Sequence, residues 1–146
     1  MKKSIRTEII INASSETLWS ILTDFESYKD WNPFIVEISG KLEKGSRLKN
    51  TLKNGDKTFV FKPVIIELDS GKSFCWLGSL FFKGLFDGRH YFQIEELAQG
   101  QVKLIHGEDF SGIFSSAILK KIAEDTRANF IAMNQALKQK AEEVTK

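Results

Sequence analysis

The chain has 146 residues, 21 of them basic against 19 acidic, with 27% charged and 42% apolar residues. That balance excludes a disordered chain, and the lack of a sustained Lys/Arg patch excludes an electrostatic nucleic-acid binder. At this length one domain spanning residues 1–146 is expected, large enough to bury a sizeable core.

Twelve Phe and three Trp stand against two Tyr, so much large, unpolar surface must be buried or offered to a ligand. Cys75 is the only cysteine, which rules out an intrachain disulfide and fits a reducing, cytoplasmic location. Met1-Lys2-Lys3 opens like a signal sequence, but Arg6 and Glu8 interrupt the apolar run that should follow, so no signal peptide is expected. No apolar stretch approaches the length of a transmembrane helix.

Residues 4–12 read as a first strand, with Ile5, Ile9 and Ile11 alternating with Arg6, Glu8 and Ile10. Ser14 or Ser15 can cap a helix carrying Leu18, Trp19, Ile21 and Leu22, which ends near Asp24. A second short helical piece over 27–31 stops before Asn32-Pro33, because the residue before proline disfavours the helical region. Strands follow over 34–40 and 47–53, joined by a turn at Glu43-Lys44-Gly45-Ser46, and Asn54-Gly55 predicts the next hairpin. Residues 57–68 read as one long strand bent or bulged at Pro63, which cannot donate to a ladder. Strands over 72–77, 89–96 and 102–110 complete a set of seven, joined by short turns and therefore antiparallel.

Residues 115–144 hold no Pro or Gly, and as a helix they extend roughly 45 Å. Ile118, Leu119, Ile122, Thr126, Asn129, Phe130, Met133, Ala136 and Leu137 share one arc of it. Lys120, Glu124, Arg127, Asn134, Lys138 and Glu142 take the opposite arc. An apolar face that long needs a broad cover, which the strands supply. The expected fold is α+β: a seven-stranded curved antiparallel sheet wrapped around a long C-terminal helix, with two short helices between strands 1 and 2.

This order resembles the START-like superfamily with its helix-grip fold, and within it the polyketide cyclase/dehydrase-like group. The residues that carry the resemblance are Ile9, Ile11, Ala13-Ser14 and Trp19, then Tyr28-Lys29-Asp30-Trp31-Asn32-Pro33-Phe34. Gly88-Arg89-His90-Tyr91-Phe92 and His106-Gly107-Glu108-Asp109-Phe110-Ser111-Gly112 extend it nearly to the end. The resemblance implies a hydrophobic cavity for a lipid, sterol, polyketide or other small apolar molecule. Its members range from carriers to enzymes, so fold alone does not decide function.

The last hairpin yields to a register count. With Ala98-Gln99-Gly100 as a three-residue loop and Gly100 left-handed, Ile94 faces Leu104, Phe92 faces His106 and His90 faces Glu108. All six point to one face. His90 and Glu108 are therefore the candidate acid and base, able to hold a charged pair or polarise a carbonyl or hydroxyl. The plainer reading is that they satisfy each other without turnover. His90, His106 and Cys75 could in principle gather round a metal, but Cys75 has the opposite parity to Phe74 and Trp76 and reads as a small core hydrophobe. No metal or other cofactor is expected.

The expected ligand-binding set is Trp31, Phe61, Phe74, Trp76, His90, Phe92, His106, Glu108, Ile122, Thr126, Asn129 and Met133. Trp31 and Trp76 can equally be core, and Thr126 and Asn129 can equally bond their own backbone. The run Ser79-Leu80-Phe81-Phe82-Lys83-Gly84-Leu85-Phe86 places five large apolar residues where a turn belongs. It reads as a pocket lip, a homodimer contact, a membrane-touching loop, or a segment folded onto the long helix. Three functions stay open: binding of a small hydrophobic ligand, a cyclase or dehydratase-type enzyme using His90 and Glu108, and a protein-interaction module working through 79–86.

Overall fold

The structure is a computed structural model that describes residues 3–80 and 83–145, apart from the side chain of residue 80. The expectations for Phe81 and Phe82, and so the middle of the 79–86 segment, lie outside the described residues.

β1 (Ser4–Ile11) leads into α1 (Ser15–Thr23), a 3-10 turn (Phe25–Ser27) and α2 (Tyr28–Trp31). Ser14 caps α1, its hydroxyl accepting from the Thr17 amide at 3.1 Å. Asn32 stops α2 and redirects the chain, its side-chain oxygen accepting from the amides of Phe34 and Ile35 at 2.9 Å.

The remaining strands are β2 (Ile35–Ser39), β3 (Lys49–Asn54), β4 (Lys57–Phe61), β5 (Val64–Asp69), β6 (Ser73–Leu80), β7 (Phe86–Ala98) and β8 (Gln101–Ser111). They form two antiparallel sheets, five strands in the order β1-β8-β7-β6-β5 and three in the order β2-β3-β4. The single seven-stranded sheet expected from the sequence is therefore corrected to eight strands in two sheets among the described residues. The break falls at Lys62-Pro63, inside what reads as one strand. Pro63 has no amide to donate, so β4 stays with β3 while β5 crosses to pair with β6. The two sheets remain joined there, where Leu48 donates to the Pro63 carbonyl at 2.8 Å and Ile65 to that of Ser46 at 2.9 Å.

Two turns lie one residue from their expected place. The β3–β4 hairpin pairs Asn54 with Lys57, leaving Gly55-Asp56 in the turn. The β7–β8 hairpin pairs Ala98 with Gln101, and its irregularity lies between Glu96 and Ala98. Beyond it the counted register holds: Ile94 faces Leu104, Phe92 faces His106 and His90 faces Glu108.

α3 (Ser115–Thr145) crosses the concave side. Its second half packs solidly, burying Phe130, Met133, Asn134, Leu137 and Ala141. Asn134 thus belongs to the buried face, contrary to the helical wheel. A straight helix on a twisted sheet drifts round its own axis relative to the cover, so the face that meets the strands near residue 137 is not the face that meets them near 122. The first half is less covered: Ile118, Leu119, Ile122 and Thr126 are only partly buried. Among the described residues no helix is long and apolar enough to cross a membrane.

Candidate functional site

The cavity opens where the first half of α3 stands away from both sheets. It holds about 270 Å³. Strand alternation sends Phe86, Gly88, His90 and Phe92 of β7 inward, with Glu108 and Phe110 of β8 beside them. Going down these strands the void ends: His90 and Glu108 still line it, whereas Phe92 and His106 are fully buried beneath. β3 and β4 supply the opposite wall, including Asn50 and Phe61, and α3 supplies Ile118, Ile122, Thr126 and Asn129.

Of the residues expected from the sequence, Phe61, Trp76, His90, Glu108, Ile122, Thr126 and Asn129 line this space. Phe74, Phe92 and Met133 lie in the solid core instead, at 1%, 0% and 0% exposure. Trp31 packs edge-on against Tyr28, ring centres 5.2 Å apart, away from the cavity. Ser79 and Phe86 line it at the ends of the apolar segment, and Gly84 and Leu85 are tied to the residues just before α3, with Ile113 donating to Gly84 at 3.0 Å and Phe114 to Leu85 at 2.9 Å.

The polar part of the site is a line of side chains running from the cavity wall into the core. His90 Nδ1 lies 3.4 Å from Glu108 Oε1. His90 Nε2 meets His106 Nε2 at 2.8 Å, and His106 Nδ1 meets Asn134 Oδ1 at 2.8 Å. Asn134 Nδ2 donates to Thr7 Oγ1 at 2.9 Å, and the Thr7 hydroxyl donates to the His106 carbonyl at 2.7 Å. Aromatic rings close round the two imidazoles: Trp76 stacks on His90 with centres 5.1 Å apart, and Phe130 on His106 at 4.3 Å. Burial, and then the neighbouring His90, hold His106 well below the ordinary histidine range, against the opposing pull of the Asn134 hydrogen bond.

Two further lining residues bear on the cavity, Gly88 beside Glu108 and Asn50 on the opposite wall. A Cβ on Gly88 would overlap the Glu108 carboxylate and lie 2.9 Å from its Cδ, so glycine makes the room in which that carboxylate sits. Asn50 is 2% exposed, and its side-chain oxygen has no hydrogen-bond partner among the described residues. A buried unpartnered acceptor is costly unless something else satisfies it. Sequence reading passed over Thr7, Asn50, Gly88 and Asn134. For Asn134 a signal existed: with Phe130, Leu137 and Ala141 it forms an i, i+4, i+7, i+11 series on one helical stripe.

Cys75 lies on the outer face of the sheet, packed with Tyr91 and Ile105. It does not approach the histidines, and among the described residues no group of three His, Cys, Asp or Glu is placed to hold a metal ion.

Against models of known protein families, residues 2–142 match the family described as polyketide cyclase / dehydrase and lipid transport. The chain belongs to that family. Among curated proteins none gives a significant match. Solved structures of the same fold include a START superfamily protein from Mycobacterium smegmatis, 21% identical, with a TM-score of 0.74 over 97% of this chain and 98% of that one. The ZhuI aromatase/cyclase from Streptomyces sp. R1128 is 14% identical, with a TM-score of 0.77 over 98% and 95%. Norcoclaurine synthase from Thalictrum flavum, solved with dopamine and hydroxybenzaldehyde, is 13% identical, with a TM-score of 0.74 over 98% and 88%. At these identities the likeness is one of fold: a helix-grip domain with a long C-terminal helix over an antiparallel sheet.

Proposed function

We propose that this family member binds one compact, largely apolar ligand carrying a single polar head group, in the cavity between the sheets and the first half of α3. The observation that supports this most is the cavity of about 270 Å³, apolar over most of its wall, with Asn50, His90 and Glu108 as polar points on it. Small-molecule sites have this make-up, apolar walls with a few convergent polar groups. At about 270 Å³ the space lies just under the ~300–1,000 Å³ typical of drug-sized ligands. A molecule of one or two rings suits it better than a sterol or a full acyl lipid.

Titration with 1-naphthol and with 1-methylnaphthalene tests the proposal, since the two share size and differ in the hydroxyl. The expected result is saturable one-to-one binding of both, tighter for 1-naphthol. Ile122→Trp and Thr126→Phe fill the space from successive turns of α3 and should abolish both. Folded variants that bind as well as the parent would move the site elsewhere.

The acid–base reading, with His90 and Glu108 acting on the bound molecule, has its own support in the 3.4 Å approach of the two groups at the cavity wall. Turnover of a bound carbonyl compound, lost in Glu108→Gln with binding retained, separates catalysis from carriage.

A further inference from the structure

The chain has only two histidines, and both lie on one line of hydrogen bonds whose direction can be worked out from its buried end. The His106 carbonyl can only accept, so the Thr7 hydroxyl, 2.7 Å away, must donate to it. That uses the single Thr7 proton, so Thr7 Oγ1 accepts from Asn134, 2.9 Å away, and the atom of Asn134 facing it is the amide nitrogen. The Asn134 oxygen therefore faces His106 Nδ1 at 2.8 Å, and Nδ1 must carry a hydrogen. The opposite amide orientation would leave two acceptors facing each other between Thr7 and the carbonyl.

His106 is fully buried, which disfavours its charged form. With Nδ1 protonated and the ring neutral, Nε2 is bare, and it meets His90 Nε2 at 2.8 Å. His90 must then donate from Nε2. One His90 nitrogen is left, Nδ1, and Glu108 Oε1 lies 3.4 Å from it. Nδ1 is thus the one His90 nitrogen that the buried hydrogen bonds do not use.

We infer that Thr7, Asn134 and His106 are a positioning relay that locks His90 with its hydrogen on Nε2, so that His90 presents Nδ1, beside Glu108, at the cavity wall. Toward a ligand this wall offers acceptors, His90 Nδ1 and the Glu108 oxygens. The ligand class this fits is an uncharged apolar molecule bearing a hydroxyl. That last step rests on the cavity being the ligand site; the lock itself does not.

The test is nitrogen NMR of the ligand-free full-length protein with 15N-labelled histidine, where two rings give four nitrogens to assign. The expected spectrum has hydrogen on His106 Nδ1, none on His106 Nε2, and hydrogen on His90 Nε2. Thr7→Val and Asn134→Leu should turn both rings into tautomer mixtures. Glu108→Gln should leave the parent assignment unchanged, because the lock is set from the buried end. Hydrogen on His106 Nε2 in the parent protein overturns the inference, and needs no variant to fold. So does an unchanged spectrum in a folded Thr7→Val or Asn134→Leu. In ligand titrations Asn134→Leu should cut the preference for 1-naphthol over 1-methylnaphthalene by about 3–10-fold, the scale of one neutral hydrogen bond. An unchanged preference with a disordered tautomer overturns the relay's role at the cavity. Failure of both probes to bind the parent, with the tautomers as expected, removes the cavity proposal and leaves the lock standing.

Discussion

His106 Nδ1 and Asn134 Oδ1 meet at 2.8 Å between β8 and α3, joining sheet to helix inside the core. Both residues are buried, at 0% and 2% exposure. Removing the Asn134 amide strands the His106 N–H and one lone pair of Thr7. Asn134→Leu is therefore expected to destabilise by about 1–3 kcal/mol, the desolvation cost of a buried unpaired group. At this chain length each kcal/mol lowers the melting temperature by about 2–4 °C, which a thermal melt reads directly. An unaltered melting temperature would mean that the amide is replaceable by packing alone.

His106 also gives folding a pH dependence of known sign. Its folded-state value lies well below the ordinary one because of burial and the neighbouring His90. In the unfolded chain it takes a proton near ~6.5. Below that pH the unfolded state binds more protons than the folded one, so stability falls with falling pH. The contribution is complete above pH ~6.5 and is lost as pH drops from there toward the folded-state value, at up to ~1.4 kcal/mol per pH unit. Urea midpoints at pH 7.5, 6.0 and 5.0 should fall for the parent chain and fall less for His106→Gln. Parallel curves would assign the loss to other groups.

Gly88 and Gly107 predict opposite outcomes for the same substitution. A Cβ at 88 meets only the movable end of Glu108, so Gly88→Ala should fold normally while pushing the carboxylate off His90. The loss should appear as a weaker preference for 1-naphthol. A Cβ at 107 meets the Ile5 carbonyl at 2.7 Å and Tyr91 Oη at 2.5 Å. Backbone cannot yield as a side chain does, so Gly107→Ala should cost about 1–3 kcal/mol of stability, the scale of overpacking. Chemical denaturation of both variants checks the contrast.

Cys75 should be inert in the folded protein. Burial pushes its thiol up to about 12, and the thiol is 2% exposed. Since the thiolate is the nucleophile, reaction with a disulfide reagent at pH 8 should be slow in buffer and rapid in denaturant. Fast labelling of the native protein would show that this face of the sheet opens locally.

The long helix, the antiparallel hairpins and the β7–β8 register were all legible in the chain, because each is a local matter. Periodicity of 3.6 reveals the helix, periodicity of 2 the strand faces, and Gly100 the place where the count begins. Parity alone was enough to bring His90 opposite Glu108 and Phe92 opposite His106. What parity leaves open is depth. Along β7, His90 and Phe92 point the same way, yet one lines a cavity and the other is core. The distance between the strands and α3 decides that, and distance between elements far apart in sequence has no local signature. The division into two sheets was open for the same reason: Pro63 announces a break, but only the packing of Ser46 and Leu48 against Pro63 and Ile65 decides which strand goes to which sheet. The Thr7–Asn134–His106 relay joins β1, α3 and β8 over as many as 127 residues of chain. Each member is an ordinary polar residue by itself, and the sequence determined only that it lies on a strand or a helix. The tertiary structure turned them to one point, where low dielectric and a single set of donors and acceptors leave one arrangement of protons.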